Sequence, residues 1–178
     1  MKIDFSEIDN NSLYEFYTDV ENTDKFSVGY IVDIDEQYIV IEEIDPYGNN
    51  DGWSCFYLDD IIRYQVKSRY LDDLSKLCKY NGTQRKNLEL FSSSNLLYSI
   101  FNNLVLSGRI CIIELCDSYL QDVVGRIKGV DTKNEQVNVE LVNSYGDIDG
   151  ETIIDVAKIS HLSYDNSDTK KIEILQRI

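Results

Sequence analysis

Two stretches of this chain repeat each other, and that repetition limits the possible folds more than any other feature. The first runs Val28-Gly29-Tyr30-Ile31-Val32-Asp33-Ile34-Asp35, then Gln37 to Glu42, Tyr47-Gly48-Asn49-Asn50-Asp51-Gly52 and Leu58-Asp59-Asp60-Ile61. The second runs Val124-Gly125-Arg126-Ile127-Lys128-Gly129-Val130-Asp131, then Glu135 to Glu140, Tyr145-Gly146-Asp147-Ile148-Asp149-Gly150 and Val156-Ala157-Lys158-Ile159. One small insertion, Thr132 to Asn134, keeps them in register from the first Gly to the last Ile. A YGxxDG hexapeptide flanked twice by matching strands points to a duplicated unit of roughly 60 residues.

The period inside each unit is that of strands, with β-branched and aromatic bursts bounded by Gly, Asp and Asn. Asp51-Gly52 and Asp149-Gly150 read as tight turns, because Gly accepts positive φ. They would pair Tyr38 to Ile44 with Trp53 to Leu58, and Gln136 to Val142 with Thr152 to Val156. Strands around Val28 to Ile34 and Val124 to Val130 precede these hairpins, and Leu13 to Thr18 and Ile110 to Leu115 open the units. Four or five short antiparallel strands of this kind bend readily into a small barrel.

Helical spacing occurs between and after the strand groups. Leu97, Ile100, Phe101, Leu104 and Val105 form an apolar stripe, with Ser94 as N-cap and Gly108 as stop. Leu71, Leu74, Leu77 and Cys78 suggest a shorter helix capped by Ser68 and ended by Asn81-Gly82. The tail from Ser167 to Arg177 matches it, although Ile172-Glu173-Ile174 also suits a strand. Residues 79–93 are the linker candidate. The expected organisation is a first β-barrel repeat with its trailing helix over residues 1–80, linker and amphipathic helix over 81–108, and a second repeat with C-terminal helix or strand over 109–178.

The series Gly29-x-Ile31-x-x-Ile34-Asp35 and, more closely, Gly125-x-Ile127-x-x-Val130-Asp131 with Val137-Asn138-Val139-x-Leu141 resembles the first motif of the Sm-like small β-barrels, which share the SH3-like roll. The tandem layout is similar to that of a bacterial family with no function attached to it. The resemblance implies a mainly β, α+β fold of two tandem Sm-like or SH3-like barrels. It also implies an RNA-base pocket at Asp131 and Asn138. The first unit departs from that pocket with Ile39 where the Asn belongs, and neither unit supplies the later basic residue followed by Gly.

Charge argues against nucleic acid. The 178 residues hold 17 Lys+Arg and 32 Asp+Glu, a formal net charge of -15, which repels phosphate and anionic membrane surfaces. Residues 1–77 hold 18 acidic and 6 basic side chains, residues 78–108 hold 1 and 3, and residues 109–178 hold 13 and 8. The 13 Tyr are interleaved with Asp and Glu, whereas a single-strand groove needs a basic track between its aromatics. Met1-Lys2-Ile3-Asp4 runs into acidic sequence with no apolar export segment, and no apolar run approaches the roughly 20 residues of a membrane span. Cys55, Cys78, Cys111 and Cys116 form no CxxC pair and read as reduced, mostly buried apolar residues of a cytoplasmic protein.

Catalytic chemistry is short of parts. His161 is the single imidazole, and no catalytic triad can be built on it. Asp147-Ile148-Asp149-Gly150 has the alternation of a calcium loop, but Val156 stands where the bidentate Glu belongs. The pairs Glu42-Glu43, Asp59-Asp60 and Asp72-Asp73 are adjacent in sequence, and on a strand such neighbours point to opposite faces. No metal or other cofactor is implied. Tyr47, Trp53 and Tyr57, rimmed by Asp51, Asp59 and Asp60, could instead grip a basic partner, with barrel core packing as the alternative use of the rings. The reading is a non-enzymatic acidic interaction protein, immunity-like, antitoxin-like or regulatory, that meets a basic protein surface. The alternative is an Sm-like RNA-binding protein acting through the second barrel.

Overall fold

In a computed structural model, which describes residues 5, 7–90, 93, 95–116 and 119–178, the chain divides into two compact units, Met1–Glu89 and Leu90–Ile178. The first contains β1 (Leu13–Tyr17), β2 (Ser27–Ile34), β3 (Tyr38–Ile44), β4 (Asn50–Tyr57), a 3₁₀ turn (Leu58–Asp60), β5 (Arg63–Gln65) and α1 (Arg69–Asn81). The second contains α2 (Leu96–Ser107), β6 (Ile110–Leu115), β7 (Val123–Asp131), β8 (Gln136–Val142), β9 (Ile148–Asp155), a 3₁₀ turn (Val156–Lys158), β10 (Ile159–Tyr164) and α3 (Ser167–Leu175). Strands run in the order β5-β1-β2-β3-β4 in the first unit and β10-β6-β7-β8-β9 in the second. The fold is thus mainly β with three helices.

It is not a pair of closed barrels. Each unit holds its own five-stranded antiparallel sheet, and among the described residues no ladder joins β4 to β5 or β9 to β10. Closing a five-stranded roll needs the fifth strand to pair on both edges. Here the chain leaves β4 through the 3₁₀ turn and lays β5 on β1 alone, at Glu15↔Gln65 to Tyr17↔Arg63. β10 likewise lies on β6.

The Asp-Gly dipeptides also differ from expectation. Gly52 and Gly150 do have positive φ, 85° and 92°, but they sit inside β4 and β9. Each forms a bulge there, two residues facing one between Glu42↔Trp53 and Ile44↔Asn50, and between Glu140↔Glu151 and Val142↔Ile148. The reversals come earlier. Asp45 Oδ1 accepts from the amides of Tyr47 and Asn49, and Asn143 Oδ1 does the same for Tyr145 and Asp147. Gly48 and Gly146 turn the chain at φ 84° and 90°.

Those two glycines also receive a helix. α1 starts at Ser68, whose Oγ caps the Leu71 amide at 3.1 Å and donates to the buried carboxylate of Glu15. It ends at Gly82, in the left-handed conformation that stops helices cheaply. Leu71, Leu74 and Cys78 pack onto Leu13, Val28 and Ile44 of the sheet, while Leu77 stays 41% exposed. Asn81 Nδ2 and Thr83 Oγ1 then donate to the carbonyls of Tyr47 and Gly48 at 2.7 and 2.5 Å. In the second unit α3, capped by Asn166, puts Ile172 against Ile110 and Val142, and Gln176 Nε2 donates to Gly146 O at 2.8 Å. The tail is therefore helical, not a strand. The opposite face of the first unit buries Tyr14, Phe16, Ile31, Ile39, Ile41, Phe56 and Ile61. α2 lies against β7 and is capped by Asn95; the expected cap, Ser94, lies outside the described residues.

Part of the expected linker is a strap on the first unit. Glu42 is wholly buried and accepts from Arg85 Nε at 2.6 Å, Asn50 Nδ2 at 2.6 Å and the Lys86 amide at 2.8 Å. The Arg85 guanidinium also covers the Tyr30 ring at 4.1 Å and donates to Asn10 O at 2.9 Å. In the second unit Arg126 faces Glu140 across β7 and β8 at 3.9 Å and donates to Gly108 O at 2.9 Å.

The helix contact makes Gly48 a sharper test of packing than Gly82. A Cβ on Gly48 would stand 2.7–2.8 Å from the backbone of Leu77 and Cys78, whereas one on Gly82 would meet nothing within 4 Å. Gly82→Ala should therefore cost only the left-handed penalty, about 1–2 kcal/mol. Gly48→Ala should cost about 3 kcal/mol or more, by adding helix displacement. Urea unfolding of both variants measures the difference.

Candidate functional site

Trp53, whose ring could serve either a partner contact or the core, is 5% exposed in the middle of β4 and serves the core. The sheet pairing divides the remaining candidates. Tyr47, 76% exposed, and half-buried Asp51 lie at the α1 end of β4. Tyr57, Asp59 and Asp60 lie at the other end, and eight strand residues separate the groups by roughly 20–25 Å.

At that second end the hairpin register creates a cluster. Tyr38 pairs with Tyr57, their ring centroids 5.6 Å apart, and the Leu58 amide donates to Gln37 O at 2.8 Å. The β2–β3 turn is thereby held beside the 3₁₀ turn. It brings Asp33, Asp35 and Glu36, which the sequence reading missed. Asp35 Oδ1 accepts from the amides of Gln37 and Tyr38 at 2.7 Å each, and Asp33 Oδ1 from Ile34 at 2.8 Å, so both carboxylates also build the turn. Tyr57 OH donates to Asp59 Oδ2 at 3.3 Å. Segments 33–38 and 57–60 contribute five carboxylates and no Lys or Arg.

Asp60 is the unusual member. It is half-buried, and its Oδ2 is shielded from solvent with no hydrogen-bond partner. Burial, together with the charge of Asp59, holds its carboxyl above the usual carboxylate range. A carboxylate placed this way weakens the fold when ionised.

The corresponding end of the second unit is mixed in charge. Asp131, Lys133, Glu135, Asp155 and Lys158 occupy its β7–β8 turn and 3₁₀ turn, and Val156 N donates to Glu135 O as Leu58 N does to Gln37 O. Asp131 serves its own turn: its oxygens accept from Asn134 Nδ2 at 2.7 Å and from the amides of Lys133 and Asn134 at 3.0 Å. The Asn134 side chain leads the effects that hold its carboxyl below the usual range. Asn138 lies two residues beyond Asp131's partner Gln136. Its Nδ2 donates to Glu151 Oε2 at 3.4 Å, and its shielded Oδ1 lacks a partner. The two residues of the implied base pocket thus neighbour one another, but Asp131 is engaged by its turn.

Cys55, Cys78 and Cys111 are buried and Cys116 is exposed. Burial pushes the Cys111 thiol up to about 12 and raises Cys55 as well. His161 Nδ1 lies 3.0 Å from Glu114 Oε1. Among the described residues no three His, Cys, Asp or Glu side chains are grouped to hold a metal ion, and no helix is long and apolar enough to cross a membrane. Comparison of the chain with protein-family models, curated proteins and solved structures yields no match in any of the three.

The Asp60 geometry sets a pH dependence with a definite sign. An acid whose folded pKa exceeds its unfolded value binds its proton more tightly in the native state, so its destabilising effect grows as pH rises through that window. Asp60→Asn should stabilise the fold at neutral pH by about 1 kcal/mol, the low end for an unsatisfied buried acceptor, because the group is half exposed. The gain should vanish below pH of about 4, where the native aspartate is itself protonated. Thermal melts across that range measure it.

Proposed function

We propose that this protein is a non-enzymatic interaction module whose acidic first unit seats against a basic protein surface, in an immunity-like, antitoxin-like or regulatory role. The observation that carries the reading is Asp60, a carboxylate held beside Asp59 where its charge weakens the fold. Charge kept at a cost to stability belongs to binding more often than to packing. A Lys or Arg brought against Asp59 and Asp60 would relieve their repulsion. The Tyr57 ring offers flat contact area beside them, and Glu36 adds charge at the rim. The contact surface is thus Tyr57, Asp59 and Asp60 with Asp33, Asp35 and Glu36, in place of one patch that also includes Tyr47, Asp51 and Trp53.

The charge balance supports the same direction of approach. The first unit holds 19 acidic and 9 basic residues, the second 13 and 8. Such a field speeds encounter with a cation-rich surface more than it tightens the final complex.

Affinity capture from native cytoplasm with the full chain tests the reading. The intact protein should retain a basic protein at low salt, with an association rate that falls steeply with ionic strength. Glu36→Lys with Asp59→Lys should lower that rate by about tenfold or more, whereas Asp149→Lys with Glu151→Lys in β9 should change it little. Equal capture by both double variants, or retention of RNA in place of a protein, would contradict the reading.

A further inference from the structure

Each unit contains a cleft at the same place in its fold, between the start of its first strand, its second strand and the helix that follows its fifth strand. The first, about 570 Å³, is lined by Ser12, Tyr30, Lys67, Asp72 and Ser75 among others. The second, about 780 Å³, presents Arg109, Arg126, Asp165, Lys170 and Glu173 at the corresponding positions. The correspondence follows from register. Leu13 pairs with Tyr30 as Ile110 pairs with Arg126, and Lys67 and Asp165 both stand just before the helix cap with left-handed φ of 56° and 59°.

The charge of the two clefts is opposite. Glu7 and Asp9 join Asp72 and Lys67 in the first, leaving it acidic. The second holds four cations, Arg109, Arg126, Lys170 and Arg177, against two carboxylates, within a chain of net charge -15. Both carboxylates are already engaged. Glu173 Oε1 accepts the Ile110 amide at 3.0 Å, and Asp165 Oδ1 meets Arg109 at 2.5 Å and Lys170 at 3.8 Å. Arg126 is held in place by Gly108 O at 2.9 Å and by Gln176 Oε1. The helix ends beside the cleft make their own bonds, Gly108 N to Leu104 O and Gln176 N to Ile172 O.

We propose that the cleft of the second unit binds a small phosphate-class anion through Arg109, Arg126, Lys170 and Arg177. The Arg126 guanidinium, held by Gly108 O and Gln176 Oε1, suits phosphate oxygens, and the cations lining the cleft outnumber its carboxylates. The site is separate from the acidic surface of the first unit and does not depend on it.

Calorimetric titration of the full chain with inorganic pyrophosphate at low ionic strength tests this, with sodium chloride at matched ionic strength as control. Saturable binding of one anion per chain is expected. Lys170→Gln with Arg177→Gln changes two partly or fully exposed side chains and should weaken that binding about tenfold or more. Its melting curve in the absence of pyrophosphate should match that of the parent. Lys67→Gln in the first cleft should leave the affinity unchanged. Absence of saturable heat, or equal affinity in the parent and the Lys170/Arg177 double variant, would overturn the proposal.

Discussion

A glutamate carboxylate on the third strand of each unit is met by cationic side chains, a guanidinium among them, and much of the local architecture follows from where each unit supplies it. Glu42 is fully buried, and an unpaired charge there would cost several kcal/mol. The first unit brings Arg85 from beyond α1, which ties the segment after the helix across the sheet and covers the Tyr30 ring. The second unit puts the guanidinium on the strand itself, as Arg126 opposite Glu140, at the position Tyr30 occupies in the first. Both guanidinium groups also reach a backbone carbonyl just before the first strand, Asn10 in one unit and Gly108 in the other. One electrostatic requirement is thus met from two places in the chain.

That difference carries into chemistry. With Arg126 on the strand, the cleft beside α3 becomes cationic; with Tyr30 there, the cleft beside α1 does not. At the end of the sheet where the 3₁₀ turn sits the contrast reverses. The first unit gathers carboxylates around Tyr57, and the second interleaves Lys133 and Lys158 with its acids. The two units share strand order, bulge positions and a helix seated on a glycine turn. Their distinct properties come from a few surface positions of that scaffold, the usual relation of site to fold.

Strand positions were readable from the sequence because hydrophobic periodicity follows burial directly. The α1 caps, Ser68 and Gly82, were readable because each has a single-residue backbone reason. Asp51-Gly52 misled because positive φ serves a bulge as well as a turn, and only the Asp45 side chain, bonding two and four residues ahead, fixes the reversal upstream. Closure could not be read from strand count, since it depends on which edges the fifth strand pairs. Trp53 and Tyr57 looked alike in composition, yet Trp53 lies buried in the middle of β4 and Tyr57 ends the strand, half-buried at its rim. The contribution of Asp33, Asp35 and Glu36 required the register Tyr38↔Tyr57, which brings the preceding turn beside the 3₁₀ turn. The cationic cleft was invisible because Arg109, Arg126, Lys170 and Arg177 are spread along the whole second unit.

We propose that recognition of a cation-rich protein surface is localised at the Tyr57 end of the first unit. Amide chemical-shift mapping of the isotope-labelled full chain with an arginine- and lysine-rich peptide is the direct measurement. Shifts concentrated at residues 33–38 and 57–60 and abolished by high salt are expected, with β9 unaffected. Shifts spread evenly over the exposed carboxylates of both units, or centred on the Tyr47 turn, would contradict it.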